Sequence, residues 1–231
     1  RLSRRIARGR GAVSETSSPV RLLVSVRSVA EALIAAAGGA DFIDLKEPGQ
    51  GALGGLPVQT IREVVEALRA RGTHLPISAT IGDLPMHELD AIVARVEAVG
   101  ACGVDLVKVG IERSPGAAAV LRALAARARP LVPVFIADRG LDERAVSLAL
   151  SLGFAGVMVD TADKRAGSLF DVLPLPDIQR FVAAAREAGV VSGLIAADLA
   201  FKLVDPNVRL TPRAPDGSEV APGSTIAELE G

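Results

Sequence analysis

The strongest constraint on the fold is an alternation between short β-branched runs and longer, Ala-rich amphipathic segments. Such alternation is typical of repeated βα units, whose strands lie side by side in a parallel sheet. Seven strands and six intervening helices are predicted. The strands cover residues 21–26, 42–45, 76–80, 105–109, 131–136, 156–160 and 190–194, and the helices begin near Ser28, Val58, Met86, Pro115, Asp142 and Pro176.

The pattern favours a TIM (β/α)8-type barrel over a doubly wound sheet. No GxGxxG motif follows the first predicted strand, as it does in the dinucleotide-binding form of the doubly wound fold. The 231 residues are close to the roughly 250 of a full barrel. Because no eighth strand is predicted, we expect an α/β barrel truncated after about seven strands and followed by a short β-rich tail.

Composition divides the chain into three segments. Residues 1–20 are rich in Arg and Ser and are predicted to be a disordered arm; an artificial start is favoured over an organellar leader or a nucleic-acid tail. Residues 21–194 form the predicted barrel domain, and residues 195–231 an atypical β-hairpin-like tail. The turn signals of this tail are Asp205-Pro206, Asp216-Gly217 and Pro222-Gly223.

Composition also excludes several classes of partner. The formal net charge of −1 gives no general attraction to nucleic acid or to an anionic membrane. No apolar run approaches the roughly 20 residues that span a bilayer. The single cysteine, Cys102, allows no cysteine-based metal cluster, and His74 and His87 lack ligand-like spacing. We predict a cytoplasmic protein that binds neither metal, nucleic acid nor membrane.

The lysines are the most informative residues for function. Arginine supplies the other basic positions, and lysine occurs only at Lys46, Lys108, Lys164 and Lys202. Arginine stays protonated, whereas a desolvated lysine can lose its proton and attack a carbonyl to form a Schiff base. The first three lysines lie within or just after predicted strands. They are therefore expected at the carboxyl-terminal end of the barrel, where such enzymes build their active sites.

Two carboxylates accompany these lysines. Asp44 lies two residues before Lys46, so both side chains leave an extended strand on the same face. Asp160 ends the sixth predicted strand, four residues before Lys164. Clustered cations and carboxylates can divide the work between a nucleophile and an acid or base. The alternative is a set of surface lysines in ordinary ion pairs.

Two further groups are candidates for substrate binding. The loop EPGQGALGG after Lys46 can present the backbone N–H groups of Gly51 and Gly54 to a phosphate, although a flexible loop explains it almost as well. Ser78 and Thr80 end the third predicted strand. Their hydroxyls can reach a substrate oxygen or simply line the barrel.

Four separated motifs resemble, in order, those of the (5-formylfuran-3-yl)methyl phosphate synthases. They are LLVSVRSVAEALIAAAGGADFIDLKEPGQGALG, ISATIGDLP, VKVG and MVDTADKRAGSLFD, within about residues 21–193. The resemblance implies a (β/α)8-barrel lyase that condenses two glyceraldehyde 3-phosphate molecules into a phosphorylated formylfuran. Phosphate and water are lost, no cofactor is needed, and the product serves methanofuran-type cofactor synthesis.

The resemblance also implies roles for individual residues. The Schiff-base lysine falls on Lys46 and the proton-accepting lysine on Lys108. Lys164, Asp44 and Asp160 fall on the remaining active-site positions.

The tail departs from this pattern. From about residue 190 the segment GLIAADLAFKLVDPNVRLTPRAPDGSEVAPGSTIAELEG resembles part of the N-terminal domain of nicotinate-nucleotide pyrophosphorylase. Two alternatives to the synthase therefore stay open. One is another Schiff-base aldolase or phosphate-sugar barrel enzyme. The other is an inactive truncated or fused barrel that serves only as an interaction module; a homo-oligomer is compatible with each of these interpretations.

Overall fold

A computed structural model of the chain describes residues 22–163, 169–188, 191–192, 209–212 and 227–230. Its strands are β1 (Leu23–Val26), β2 (Phe42–Leu45), β3 (Ile77–Thr80), β4 (Leu106–Ile111), β5 (Leu131–Ile136), β6 (Gly156–Asp160), β7 (Val191–Ser192), β8 (Arg209–Pro212) and β9 (Ala227–Glu230). Its helices are α1 (Val29–Ala37), α2 (Val58–Ala70), α3 (Leu89–Gly100), α4 (Ala117–Ala125), α5 (Glu143–Ser151), α6 (Leu169–Val172) and α7 (Leu175–Glu187).

The sheet follows the order of the chain. Strands β1 to β6 each pair in parallel with the next, and β7 adds two residues beside β6. The six longer strands curl into a TIM-like half-barrel. The predicted α/β, TIM-type architecture is confirmed at this level. The predicted end of the barrel after about seven strands falls largely outside the described residues and stays a prediction.

The main core lies between the outer face of the sheet and the helices. Alternate strand residues point outward, as the two-residue period of a strand requires, and they meet the apolar stripes of the helices. Full burial of one large aliphatic side chain contributes about 1.5–3 kcal/mol. Fully buried members from the strands are Ile43, Leu45, Ile77, Ile111, Leu131 and Phe135, and from the helices Ile61, Leu68, Ile92, Leu121 and Leu124.

A smaller apolar cluster occupies the inner face of the sheet. Val134 and Ile136 of β5 pack against Ala52 and Leu53, which belong to the loop after β2. Leu53 also lies over Gly110 of β4, where an added Cβ would come within 2.9 Å of the Leu53 Cδ1. The loop after β2 therefore folds back over the inner face, beside the strand ends that carry the predicted site.

Most helices begin where their capping residues predict. Ser28 Oγ accepts the N–H of Glu31 at the start of α1, and Asp142 accepts two N–H groups at the start of α5. Helix α3 begins later than the predicted Met86. Because Glu88 N–H donates to the carbonyl of Pro85, a turn precedes the helix, and this turn keeps Met86 buried in the core.

The described parts of the tail form an antiparallel pair. Strands β8 and β9 pair with Arg209 opposite Glu230, and the predicted hairpin-like tail over residues 195–231 stays a prediction. The predicted boundaries at residues 20 and 194 stay predictions, and the arm 1–20 lies outside the described residues. In the described part of the chain, no helix has the length and apolar character needed to span a membrane.

Candidate active site

A buried ion pair lies on the inner face of the sheet. Lys108 Nζ of β4 donates to Asp44 Oδ1 of β2 at 2.8 Å, and their side chains are only 7% and 4% exposed. The pair reaches across β3, where Ser78 is in register with Asp44 and Thr80 with Lys108. A buried pair of charges persists only when its geometry is good and its remaining hydrogen-bonding capacity is satisfied. Its surroundings therefore matter.

Two serine hydroxyls complete the hydrogen bonding of Asp44. Ser78 Oγ donates to Oδ1 at 2.5 Å, and Ser25 Oγ donates to Oδ2 at 3.4 Å. The three residues lie opposite one another in β1, β2 and β3, so one level of the inner face carries them all. The sequence analysis assigned Ser78 to substrate binding and missed Ser25. The available signal for Ser25 was a serine inside the apolar run LLVSV.

Thr80 is fully buried and fixes the loop after β2. Its Oγ1 lies 2.8 Å from the carbonyl oxygen of Gly54 and 3.4 Å from that of Leu45. The hydroxyl therefore holds the start and the end of the loop together. The predicted contact between Thr80 and a substrate oxygen stays a prediction.

The glycine-rich loop is closely packed. Gly54 N–H donates to the carbonyl of Gly51 at 3.3 Å, and the Gly54 carbonyl accepts the N–H of Glu47 at 2.8 Å. Gly51 has φ 114°, a conformation that favours glycine. A Cβ on Gly54 would lie 2.1 Å from the Glu47 carbonyl oxygen. Packing and backbone geometry thus account for both glycines, and their contact with a phosphate stays a prediction.

Gly54→Ala is expected to lower the free energy of unfolding by about 1–3 kcal/mol, the usual effect of overpacking. The added methyl group meets backbone rather than a movable side chain, so the loop beside Lys46 must shift. Chemical denaturation of the variant measures the effect. Gly49→Ala is the matched control in the same loop, since its Cβ would meet only the Glu47 side chain, at 3.2 Å. Equal stability losses in both variants would contradict this account of the loop.

Lys46 directly follows β2 and is half-buried. Its N–H donates to the carbonyl of Val26 at 3.3 Å, which extends the β1–β2 pairing by one residue. Lys46 and Asp44 are two residues apart, so their side chains leave this extended backbone on the same face. Lys46 therefore starts from the carboxyl-terminal edge of the sheet, one level above the buried pair.

The last strand end of the site carries Asp160. This residue ends β6, lies in register with Ile136 of β5, and accepts the N–H of Thr161 on Oδ1 at 2.8 Å. It is thus at the same edge of the sheet as Lys46. Lys164 lies outside the described residues.

Asp138 is a residue that the sequence analysis missed. It follows β5, and its two carboxylate oxygens each accept one N–H at 2.8 Å, from Ala162 and Asp163. Burial alone would raise the pKa of Asp138, but these N–H groups and the charge of Arg139 outweigh it and lower the pKa. The carboxylate therefore ties the end of β5 to the loop that leads towards Lys164.

The lowered pKa of Asp138 makes this tether sensitive to pH. The folded state holds the ionised form better than the unfolded state, so the contribution is complete above the unfolded pKa of about 3.9 and disappears as the pH falls through the folded pKa. Asn keeps only one acceptor oxygen. The melting temperature of Asp138→Asn should therefore fall below that of the wild type near neutral pH, and this difference should shrink below about pH 4.

Asp83 provides a control of opposite sign for these melts. Burial raises the pKa of Asp83 more than the N–H of Leu53 and the charge of Arg139 lower it. Ionisation of this residue therefore lowers stability as the pH rises, where ionisation of Asp138 increases it. If the difference in melting temperature between Asp138→Asn and the wild type is independent of pH, the ionised Asp138 carboxylate does not hold the loop after β6 in this way.

Two further contacts of charged side chains lie near this edge. Arg139 forms an ion pair with Glu112, beyond the ends of β5 and β4. Asp83, after β3, accepts the N–H of Leu53 and so holds the loop after β2 from a second side. Among the described residues, no group of three or more His, Cys, Asp and Glu side chains is arranged to hold a metal ion. Fold and site together define an α/β protein of TIM type with a lysine–aspartate centre on its inner strands.

The family follows from comparison with known proteins. The chain belongs to the 4-HFC-P synthase family, whose model matches residues 22–214. A (5-formylfuran-3-yl)methyl phosphate synthase from Archaeoglobus fulgidus is 35% identical over 207 residues, covering 84% of this chain and 86% of that protein. A Methylorubrum extorquens protein described as "Putative (5-formylfuran-3-yl)methyl phosphate synthase" is 35% identical over 226 residues, covering 94% and 92%. These names are those of a lyase.

The solved structures support the fold alone. A Streptococcus agalactiae structure described as "Putative Copper Homeostasis Protein CutC" matches with a TM-score of 0.57 at 14% identity, over 75% of this chain and 86% of that one. The family match and the two relatives confirm the resemblance to the synthase family that the sequence motifs indicated. The family match runs past residue 193 to residue 214, and the resemblance of the tail to nicotinate-nucleotide pyrophosphorylase is unsupported.

Proposed function

We propose that the chain condenses two glyceraldehyde 3-phosphate molecules into (5-formylfuran-3-yl)methyl phosphate, with release of one phosphate and two waters. Membership of the family and relatives of that name at 35% identity support the reaction. The observation that carries the proposal is the buried Lys108–Asp44 pair on the inner face, beside the end of the strand that bears Lys46. This arrangement offers an amine nucleophile and a second amine for proton transfer.

The first step uses Lys46 as the nucleophile. Its neutral amine attacks the aldehyde carbon of one triose phosphate, and loss of water gives an iminium ion. The iminium withdraws electrons from the neighbouring C2. Removal of the C2 proton then lets the phosphate on C3 leave with its bonding electrons, which leaves a conjugated Schiff base on Lys46.

Lys108 moves the protons in this scheme. As an ammonium ion it gives a proton to the departing hydroxyl during iminium formation, and the neutral amine that results takes the proton from C2. Asp44 stabilises the ammonium form whenever it is present, through the 2.8 Å contact. The proposed role of Asp44 is thus to hold the Nζ of Lys108 at a fixed place while Lys108 gives and takes protons.

The second triose phosphate then supplies the remaining carbon atoms. The second molecule first isomerises to its ketone form by moving a proton from C2 to C1, and C3 of the enol bound to Lys46 adds to its C2 carbonyl carbon. Its C1 hydroxyl then closes the ring on C2 of the bound intermediate, and loss of two waters gives the furan. Hydrolysis of the Schiff base consumes the water released when it formed and returns Lys46. Asp160, at the end of β6, and Lys164, four residues further along the chain, are the proposed partners for this second molecule.

Product analysis tests the proposal. The purified chain is incubated with glyceraldehyde 3-phosphate, and the products are separated and identified by mass spectrometry and by the ultraviolet absorbance of a furan aldehyde. The formylfuran phosphate, with one equivalent of inorganic phosphate, is the expected result. A simple six-carbon aldol product would point instead to another Schiff-base aldolase. No turnover by a chain with a cooperative thermal melt would point to an inactive barrel.

A further inference from the structure

We propose that Ser78 is a positioning residue: its hydroxyl fixes the Asp44 carboxylate so that Oδ1 stays aligned on Lys108 Nζ. Nothing in the resemblance or in the family match gives this serine such a role. The inference rests on the proposed function, because it assigns Lys108 to proton transfer.

The hydrogen-bond geometry carries the inference. Ser78 Oγ lies 2.5 Å and Lys108 Nζ 2.8 Å from the same atom, Asp44 Oδ1. A hydroxyl has one proton to donate, and Ser78 is only 5% exposed, so bulk water does not compete for it. Two donors from two different strands therefore converge on one carboxylate oxygen and determine where it lies.

A carboxylate needs such a restraint. The terminal torsion of an aspartate is broad, so the side chain does not fix its own oxygens. Among the described residues, the hydroxyl that restrains Oδ2 is that of Ser25, an exposed residue, over a longer distance of 3.4 Å. Without Ser78 the carboxylate can rotate, and Lys108 follows it. A misplacement of about 1 Å in a reacting group can lower a rate about 100-fold.

Thr80 is the contrasting hydroxyl on the same strand. It lies two residues further along β3 and on the same face as Ser78, but its hydroxyl contacts the backbone carbonyls of Leu45, the last residue of β2, and of Gly54 in the following loop. The two hydroxyls thus have different jobs. Thr80 holds the loop, and Ser78 holds the carboxylate.

Steady-state kinetics of Ser78→Ala tests the proposal. We expect kcat to fall about 10- to 100-fold while KM changes less than about threefold, because orientation of a proton-transfer group affects the chemical step rather than binding. Ser78→Thr, which keeps the hydroxyl, should recover most of the kcat lost in Ser78→Ala. If the extra methyl group of threonine prevents folding, Ser78→Cys is used in place of Ser78→Thr. Ser25→Ala should have the same kind of effect, but smaller.

Thr73→Val is the matched control. Thr73 Oγ1 donates to the carbonyl of Leu68 at 2.7 Å at the opposite end of β3, so this variant loses a partly buried hydroxyl bond away from the site. It should lose stability and keep kcat. An unchanged kcat in folded Ser78→Ala, or a change confined to KM, would overturn the proposal. So would an equal fall of kcat in Thr73→Val.

A second measurement separates this proposal from the proposed function. Thermal melts of Ser78→Ala, Lys108→Met and the double variant test whether the two groups act on one carboxylate. If they do, the double variant should lose less melting temperature than the sum of the single losses; additive losses would overturn the proposal even in an active enzyme. If the wild type makes no furan product, the proposed function fails, while coupled losses still support the positioning of Asp44.

Discussion

The Lys46→Arg variant is expected to fold normally and to lose turnover by about 10⁴-fold or more, which corresponds to about 5.5 kcal/mol of activation free energy. Arginine keeps the positive charge and the length of the side chain, but it stays protonated and cannot form a Schiff base. Release of inorganic phosphate and growth of the furan absorbance measure the rate. A circular dichroism spectrum like that of the wild type establishes that the variant is folded.

Lys202→Arg is the matched control for this substitution. It makes the same chemical change at a lysine without an assigned role, outside the described residues. Its turnover should equal that of the wild type. Substantial turnover in Lys46→Arg would show that Lys46 does not form the Schiff base and that any such intermediate is on another amine.

The Asp44–Lys108 pair gives the second large effect. Asp44→Leu leaves the Lys108 ammonium buried without its partner, and breaking a buried pair in this way typically costs about 3–5 kcal/mol of stability. The double variant Asp44→Leu/Lys108→Met replaces both charges with apolar groups. Such replacements are often neutral or stabilising, so the double variant should recover stability near that of the wild type while remaining inactive. Urea unfolding and the turnover assay measure the two properties separately.

An exposed pair provides the control for this experiment. Arg129 and Glu97 are 2.9 Å apart, with side chains 34% and 44% exposed. Glu97→Gln should change the free energy of unfolding by less than about 1 kcal/mol. If the double variant at Asp44 and Lys108 stays as unstable as Asp44→Leu, or if it retains turnover, the account of a pair kept for chemistry rather than stability is wrong.

Local patterns were sufficient to predict strands β1 to β6 and the position of Lys46 directly after β2. A two-residue period and β-branched runs located β1 to β6 within a few residues, and the ends of those strands then placed Lys46 and Asp160 at one edge. The parallel order followed from the helices between them. These features depend on residues close in sequence, so a single sequence carries them.

Contacts between distant residues could not be predicted in the same way. Ser25 and Ser78 lie 19 and 34 residues from Asp44 along the chain, and only the register of three strands brings their hydroxyls to its carboxylate. A shift of register by one residue would turn each side chain to the other face. Pattern alone gives the face of a residue within its own strand, not its partner in the next.

The glycine-rich loop shows a second limit of the sequence. Its glycine-rich composition suits both a phosphate-binding loop and a tightly folded connection, because in either case other atoms must approach the backbone closely and a side chain would be in the way. In the structure Leu53 folds inward, Gly54 meets the backbone of Glu47, and Asp83 holds the loop from β3. These contacts depend on packing against β3, β4 and β5, which the loop sequence does not contain.

Reductive trapping of the intermediate tests the central claim most directly. The wild-type chain is treated with borohydride in the presence of glyceraldehyde 3-phosphate. The mass of the adduct is measured by mass spectrometry of the intact protein, and its position is located by peptide mapping. The account predicts one adduct per chain, on Lys46, and none in Lys46→Arg. A folded chain that makes product without any adduct, or that carries its adduct on another lysine, would contradict it.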